Sequence, residues 1–282
     1  MLSNTLVSYS KMVARPPYRL AKRTLKYVED TLPAAMPWQR RSYARNGFLR
    51  FNPRIPMRII DEVKAEVAPR HNKLPAGLAG YELTGRIQDA YHFSPAVRKL
   101  MTWPFVLRVL QEIYGRQPLP FQSLNFPVGT EQPIHSDTIH FNSKPAGMMC
   151  GVWIALEDID ENNGPLIYYP GSHKLPEYTL KDVPAEAKPD NYDNYPLYEK
   201  FLAEKIREFK LQPKLGTMRK GQAMIWSANL WHGGTPRKDR SRSRHSQVTH
   251  YFFEGCQYYT PMFSTDENVY WRHPEWVKAA VD

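Results

Sequence analysis

Short apolar segments separated by turn residues dominate the chain between residues 85 and 255. Strands are predicted at 147–159, a mostly apolar run, at 166–170, after the turn ENNGP, and at 244–255, where β-forming residues alternate with polar ones. Residues 216–234 predict two further short strands around a Gly turn. Turn signals at intervals of about 8–12 residues are typical of β-sandwiches and barrels, so the pattern predicts a mainly β domain with flanking helices.

Helical spacing of apolar residues occurs in two places. Residues 95–115 predict one helix that ends at Gly115. Residues 17–32 predict an amphipathic helix, because five apolar residues recur there at spacings of three and four while basic residues occupy the other faces. Such a helix can lie on a membrane surface or dock on its own domain, and both alternatives stay open.

Residues 175–212 interrupt the β pattern. The segment is polar and rich in Pro and Tyr, and it contains PLYEKFLAEKIREFKL, which predicts a helix at 196–211. An insertion of this kind in a β-barrel often covers a substrate site, so we expect a lid-like element that carries Tyr178, Tyr192, Tyr195 and Tyr198. A contact between two copies of the chain is the alternative, which leaves a homodimer open.

The basic charge of the chain is concentrated at its N-terminus. The net charge is +10, and residues 1–60 hold twelve Lys and Arg but only two acids, so the remainder is neutral overall. We therefore divide the chain into a partly helical basic extension, residues 1–60, and a folded domain, residues 61–282. The extension either favours solubility or attracts lipid headgroups, an acidic glycolipid or nucleic acid. Nucleic acid is the least favoured, because the basic residues are not interleaved with a recognisable stacking platform.

The cysteines and the first residues restrict the cellular setting. With only Cys150 and Cys256, a disulfide framework is not expected, and a reducing compartment is the default. The first twenty residues lack the apolar core of a secretory signal, and no apolar run approaches the roughly 18 residues of a membrane span. We expect a cytoplasmic protein, with association with the inner face of the membrane left open.

The segment HSDTIHF, residues 135–141, contains the first candidate metal ligands. Residues i and i+2 of a strand share one face, so His135 and Asp137 project together. A second histidine would complete a two-His-one-carboxylate triad of the kind that binds Fe(II) in oxygenases, and His232, before a Gly-Gly turn, is the best candidate. Zinc is the rival metal, although neither an H-E-x-x-H pattern nor a Cys cluster supports it. The competing histidines are His140, His173, His245 and His250.

An iron oxygenase of this type needs a cosubstrate beside the metal, and 2-oxoglutarate is one that chelates iron through its keto-acid end. Its far carboxylate requires a cation, and Arg binds a carboxylate through two parallel hydrogen bonds. Arg244 opens a predicted strand and shares its face with Ser246, so this pair is the expected carboxylate site. Arg242 is the alternative, whereas Arg237 and Arg240 belong to a solvated basic turn.

Three segments resemble the phytanoyl-CoA dioxygenase family of Fe(II)/2-oxoglutarate-dependent oxygenases. They are QPIHSD (132–137), GVWIALEDIDENNGPLIYYPGSHK (151–174) and GQAMIWSANLWHGGTPRKDRSRSRHS (221–246), and the resemblance extends roughly over residues 85–260. It implies a double-stranded β-helix, the cupin-like jelly roll.

The family resemblance also implies roles for single residues. The iron ligands would be His135, Asp137 and His232, and the 2-oxoglutarate anchor would be Arg244. Further cosubstrate neighbours would be Trp153, Gln122 and Asn125. Because related halogenases have a small residue where this chain has Asp137, the resemblance favours hydroxylation over halogenation.

The resemblance and the charge together suggest a reaction. We expect an enzyme that uses Fe(II), 2-oxoglutarate and O₂, with ascorbate as reductant in vitro, to hydroxylate an unactivated C–H bond. The basic N-terminus favours an anionic lipid or glycolipid presented at a membrane, for example Kdo in lipopolysaccharide. The alternative is a soluble hydroxylase of a small metabolite such as an amino acid or natural product, and a non-catalytic module that binds anionic surfaces is the least favoured.

Overall fold

Antiparallel strands form the centre of the domain. The computed structural model describes residues 36–71, 85–184 and 192–279. The strands are β1 (Phe48–Phe51), β2 (Ile87–Gln88), β3 (Pro118–Phe126), β4 (Asn142–Lys144), β5 (Met149–Ala155), β6 (Leu166–Tyr168), β7 (Lys214–Leu215), β8 (Ala223–Ser227), β9 (His232–Gly234), β10 (Ser246–Phe253) and β11 (Gln257–Tyr259). The helices are α1 (Pro37–Asn46), α2 (Met57–His71), α3 (Pro95–Met101), α4 (Pro104–Tyr114) and α5 (Tyr195–Glu208).

The strands are divided between a large sheet and two small ones. The large sheet has the order β1-β8-β5-β10-β3-β2, and every neighbouring pair is antiparallel. A three-stranded sheet has the order β7-β6-β9, and β4 pairs with β11. The predicted strands at 147–159, 166–170 and 244–255 correspond to β5, β6 and β10. The mainly β architecture expected from the sequence is therefore confirmed.

The large sheet is buried on both of its faces. In β5 every residue is buried, and alternate side chains point to opposite sides. Val152 and Ile154 pack against the helices α2, α3 and α4, whereas Trp153 faces the second core with Met224 and Val248. Polar side chains are concentrated on this second face, which lies between the large sheet and the three-stranded sheet.

The helix predicted over residues 95–115 is two helices. Helix α3 ends at Met101, and α4 begins at Pro104, because a proline lacks the N–H that would continue the helix and restricts the residue before it. Trp103 accordingly has extended backbone angles. Helix α4 ends where expected, with Gly115 in the left-handed region.

Residues 37–60, expected in the basic extension, are part of the folded domain. Strand β1 pairs with β8 at the edge of the large sheet, and Ile59 and Ile60 of α2 are buried in the main core. The helix predicted at 17–32 lies outside the described residues. Across the residues that the structure describes, there is no helix with both the length and the apolar character needed to cross a membrane.

The insertion at 175–212 contributes helix α5 to a core of its own. The α5 residues Tyr195, Tyr198 and Leu202 are buried against Ile139 and Trp231, which flank the segments carrying the candidate metal ligands. The described part of the insertion therefore packs against the segments that carry the candidate metal ligands.

Candidate metal centre and cavity

Three candidate ligands predicted from the sequence come together in the structure. The ligand atoms of His135, Asp137 and His232 all lie within 4.8 Å of one another, and the three residues are buried. Asp137 Oδ1 lies 3.9 Å from Nε2 of His135 and 4.0 Å from Nε2 of His232. Two imidazoles and one carboxylate in this arrangement can take one face of a metal ion and leave other positions open.

The backbone brings the three ligands together through a bridge and a turn. His135 and His232 form an isolated antiparallel bridge, in which the N–H of each donates to the carbonyl of the other at 2.9 and 3.0 Å. The chain does not continue as the predicted strand, because a 3₁₀ turn begins at Asp137. Asp137 is held there by its N–H, which donates to the Ala228 carbonyl at 3.0 Å.

Both histidines present the same ring nitrogen to the site. Nδ1 of His135 lies 2.9 Å from the Pro133 carbonyl, and Nδ1 of His232 lies 2.8 Å from the Leu230 carbonyl. A carbonyl only accepts, so each Nδ1 carries a proton, and Nε2 is the nitrogen that each ring turns toward Asp137 Oδ1. Burial, with His232 adding to it, lowers the pKa of His135 to about 3, which keeps this ring neutral.

A tryptophan fixes the orientation of the carboxylate. Trp226 Nε1 donates a hydrogen bond to Asp137 Oδ2 at 2.7 Å, which leaves Oδ1 facing the histidines. Burial raises the pKa of Asp137, but the three neighbouring histidines and the Trp226 hydrogen bond outweigh it, so the net shift is downward. Trp226 was not predicted as a site residue, because nothing in its sequence surroundings signals this contact.

The metal group lies in the wall of a cavity of about 270 Å³ that also contains Arg244. This arginine is 2% exposed, and its Nη1 donates to Ser246 Oγ at 2.6 Å, although β10 begins only at Ser246 and Arg244 lies just before the strand. Its guanidinium carbon lies 5.6 Å from the ring centres of both Phe126 and Trp153. Burial lowers the pKa of Arg244 to about 10.

Arg244 forms no ion pair within the described part of the chain, and the acid Glu157 acts on it only from beyond contact distance. No carboxylate there lies within 4.0 Å of the guanidinium, and its buried Nε has no hydrogen-bond partner there. A buried charge without a partner is costly, so this position fits an anionic ligand that enters the cavity. The alternative anchor, Arg242, lies outside the cavity wall and is paired with Asp160, with Nη2 2.8 Å from Oδ2.

Residues 90–246, more than half of the chain, match the phytanoyl-CoA dioxygenase family. The chain belongs to this family. The family resemblance expected from the sequence is thereby confirmed, and with it the assignment to an oxygenase family whose cofactor requirements the His-Asp-His group can meet.

Curated members of the phytanoyl-CoA dioxygenase family are distant relatives. The peroxisomal phytanoyl-CoA dioxygenase of Rattus norvegicus is 26% identical over 143 residues, which cover 50% of this chain and 39% of the rat protein. The match to a probable phytanoyl-CoA dioxygenase of Caenorhabditis elegans covers 52% of that protein. The Homo sapiens protein is 23% identical over 257 residues, which cover 82% of this chain and 72% of the human protein. The chain thus spans about half the length, or less, of the first two relatives.

Solved structures share the fold at low sequence identity. The epimerase SnoN from nogalamycin biosynthesis superposes with a TM-score of 0.64 and 20% identity over 83% of this chain and 89% of its own. EctD from S. alaskensis, solved with 2-oxoglutarate and 5-hydroxyectoine, gives a TM-score of 0.66 and 16% identity over 87% and 86%. SnoN was also solved in complex with Fe³⁺ and alpha ketoglutarate. The jelly roll expected from the family resemblance is confirmed.

Among the expected cosubstrate neighbours, Trp153 and Gln122 line the cavity and Asn125 does not. Gln122 and Asn125 are three residues apart on β3, so the alternation of a strand directs them to opposite faces. Asn125 instead donates from Nδ2 to Gln247 Oε1 at 3.2 Å. The structure thus places Gln122 in the cavity wall and Asn125 outside it.

Two of the competing histidines lie in the cavity wall with the metal group. His250 has Nε2 3.9 Å from Asp137 Oδ2, and its Nδ1 lies 2.8 Å from Gln122 Oε1. His140 also lines the cavity, and burial is the largest cause that lowers the pKa of each of these two rings to about 4. His173 and His245 lie outside the cavity wall.

The described residues of the insertion at 175–212 do not line the cavity. Tyr195 of the insertion contacts His140 of the cavity wall, with the ring centres 4.9 Å apart. The lid-like role stays a prediction, since residues 185–191 lie outside the described residues.

Proposed function

We propose that this chain is an Fe(II)- and 2-oxoglutarate-dependent dioxygenase that hydroxylates an unactivated C–H bond of a small organic substrate. The observation that carries the proposal is the buried guanidinium of Arg244, which forms no ion pair among the described residues, in the same cavity as the group His135, Asp137 and His232. A metal ion would take the three ligands of the His-Asp-His group, and a dicarboxylate would take the charge of the arginine. The two ligands together would therefore account for both features.

The donor set fits Fe(II) and the buried arginine fits the cosubstrate. Nε2 of His135, Nε2 of His232 and Asp137 Oδ1 would hold the metal, while Arg244 and Ser246 would bind the far carboxylate of 2-oxoglutarate. When bound, Fe(II) with 2-oxoglutarate and O₂ supplies the oxidising power for C–H hydroxylation, with succinate and CO₂ as coproducts.

The residues around the cavity orient the metal ligands and exclude water from the site. The carbonyl partners at Nδ1 keep both histidine ligands oriented, and Trp226 keeps one carboxylate oxygen turned toward them. Trp153, Phe126 and Val248 form an apolar wall around the cavity next to Arg244. Such a wall excludes water and strengthens the ionic contact to the carboxylate.

Two observations support different substrates. SnoN was solved with nogalamycin RO and EctD with 5-hydroxyectoine, which supports a small metabolite or natural product. The basic charge of residues 1–60 supports an anionic, membrane-presented lipid or glycolipid such as Kdo in lipopolysaccharide, with peripheral binding to the membrane. We favour a small-molecule substrate, because the cavity is compact. The homodimer is a separate proposal.

Succinate formation tests the enzyme class. Wild-type protein incubated with Fe(II), ascorbate and 2-oxoglutarate is expected to release succinate slowly without substrate, and His232→Ala is expected to lose this turnover. His92→Ala, in which an exposed histidine outside the cavity is removed, is the matched control and should keep it. Equal succinate release by wild type and His232→Ala would contradict the assignment of the metal centre.

Sedimentation with liposomes tests the membrane alternative. The deletion should comprise residues 1–35 and spare residues 37–60, because these contribute β1 and part of α2 to the core. If the N-terminus attracts the protein to membranes, binding to phosphatidylserine vesicles decreases on deletion and decreases with salt. Unchanged binding would remove the membrane role of the basic N-terminus.

A further inference from the structure

The cavity contains a second group of cations besides Arg244. Arg86 and Arg272 both line the wall. The guanidinium carbon of Arg272 lies 4.8 Å from the ring centre of Phe141, whereas that of Arg244 lies 5.6 Å from the ring centres of Phe126 and Trp153. Arg272 therefore lies beside Phe141, and Arg244 lies beside Trp153 and Ser246.

Arg272 is held in place without using all of its donors. Its Nη1 donates to Thr260 Oγ1 at 3.0 Å, and its guanidinium carbon lies 4.8 Å from the ring centre of Phe141. Its backbone N–H donates to the Tyr258 carbonyl at 2.8 Å, which fixes the segment that carries it. The Nε atom is buried and has no hydrogen-bond partner among the described residues, so donors of a positioned guanidinium remain for a ligand.

The side chains that line the cavity include more cations than anions. Among the described residues of the wall, three are arginines and one, Asp137, is an acid. A divalent metal and the dianion 2-oxoglutarate would cancel each other and leave this excess unchanged. A further anion in the cavity would offset it.

We propose that Arg272, with Arg86 as a further cation of the same cavity wall, binds an acidic group of the substrate, a carboxylate or a phosphate, while Arg244 binds 2-oxoglutarate. This inference rests on the proposed function and adds the substrate class to it. The reacting C–H bond then lies between the acidic group and the metal centre. Phe141 and Phe263 provide apolar walls beside this group.

The size of the cavity restricts the part of the substrate that enters. Its volume of about 270 Å³ lies just below the range of about 300–1,000 Å³ that is typical of ligand pockets. Because 2-oxoglutarate would take a share of this volume, the part of the substrate beside the metal is compact. The structure thus favours a small acid, or the acidic end of a larger molecule, as the group that binds at Arg272.

Matched acidic and neutral probes test the inference. The full-length protein with Fe(II) and saturating 2-oxoglutarate, under argon to prevent turnover, is titrated calorimetrically with N-acetylglycine and N-acetylglycinamide, and with glycerol 3-phosphate and glycerol. We expect the acid of at least one pair to bind about tenfold tighter than its neutral partner, and the pair that does so identifies carboxylate or phosphate. Absence of any preference in wild type would overturn the inference.

Variants test which arginine causes the preference for the acidic probe. Arg272→Gln is expected to abolish it, and Arg86→Gln to reduce it, which keeps the test decisive if one variant fails to fold. Arg240→Gln is the control, because this arginine is exposed, pairs with Glu131 and lies outside the cavity wall, and the preference should persist. An acid preference that survives in a folded Arg272→Gln would contradict the assignment.

A second readout separates this inference from the proposed function. The visible charge-transfer absorption of an Fe(II)–2-oxoglutarate complex reports cosubstrate binding, and it should be unchanged in Arg272→Gln and weakened in Arg244→Gln. The opposite result would show that Arg272 binds the cosubstrate and would overturn the inference. If wild type gives no such absorption, the proposed function fails, whereas an acid preference that depends on Arg272 would still establish the anion site.

Discussion

Trp226 donates a hydrogen bond of 2.7 Å from its indole Nε1 to Oδ2 of Asp137, the oxygen turned away from His135 and His232. The indole can lie there because Gly151, its partner on the neighbouring strand β5, has no side chain. A Cβ on Gly151 would lie 2.4 Å from Cε2 of Trp226 and 2.7 Å from Nε1. The orientation of the candidate metal ligand thus depends on two residues that would not touch the metal.

Replacement of Trp226 by Phe is expected to weaken metal binding. Phe keeps an aromatic ring in the core but cannot donate to Asp137 Oδ2, so the carboxylate loses its fixed orientation. We expect the affinity for Fe(II), or for Mn(II) as a stable substitute, to fall about 10–100-fold, measured by titration under argon. Trp38→Phe is the control, since Trp38 is 59% exposed, and it should bind like wild type. Wild-type affinity in Trp226→Phe would contradict the positioning role.

Replacement of Gly151 by Ala is expected to disturb the hydrogen bond between Trp226 and Asp137, because Gly151 faces the indole of Trp226. The added methyl group must displace the indole, and we expect a loss of about 1–3 kcal/mol in the free energy of unfolding, together with weaker metal binding. Gly216→Ala is the matched comparison, because its Cβ would lie 2.9 Å from Cζ3 of Trp153 and away from Asp137. Urea denaturation should show destabilisation in both variants, whereas metal titration should show a loss only in Gly151→Ala. Equal metal affinities would refute the link from Gly151 to Asp137.

The two candidate anchors for 2-oxoglutarate are expected to respond differently to substitution. Arg244→Lys keeps the charge but loses the planar pair of donors, so the dissociation constant for 2-oxoglutarate should rise about tenfold or more. Arg242→Lys is the control, because Arg242 is paired with Asp160 outside the cavity, and it should bind 2-oxoglutarate like wild type. A rise confined to Arg242→Lys would move the anchor to that residue.

The sequence was informative where chemistry and local pattern coincide. The strands β5, β6 and β10 follow from apolar runs bounded by turn residues. The spacing of His135 and Asp137 pointed to two side chains that the structure does bring together, although the local structure is a bridge followed by a 3₁₀ turn. Two further features could have been read from the sequence. Pro104 signals the break between α3 and α4, and the parity of β3 directs Asn125 away from the face that carries Gln122.

Other features of the site depend on tertiary contacts that no local pattern signals. Arg86 and Arg272 are far apart in the sequence and meet in one cavity only because β2 joins the large sheet while the C-terminal segment folds back on β11. Trp226 appeared as one apolar position of a predicted strand, and its hydrogen bond to Asp137 requires the geometry of two separate segments. Single residues with a role set by distant neighbours are therefore the part that the sequence alone did not reveal.

The buried His250 links stability to pH in the metal-free protein. Burial is the largest cause that lowers its pKa to about 4, whereas a histidine in the unfolded chain titrates at about 6.5. Between these two values the unfolded chain binds a proton that the folded chain does not bind. The free energy of unfolding therefore decreases as the pH falls through this window, and the contribution is fully present above it.

Replacement of His250 by Gln is expected to flatten this pH dependence, because one group that is protonated only in the unfolded chain is removed. The decrease in the free energy of unfolding of metal-free protein between about pH 7.5 and about pH 5.5 should become smaller by about 1 kcal/mol, as measured by urea denaturation. His92→Gln, at an exposed position, should keep the wild-type dependence. An equally large decrease in His250→Gln would show that His250 is not held neutral in the folded protein.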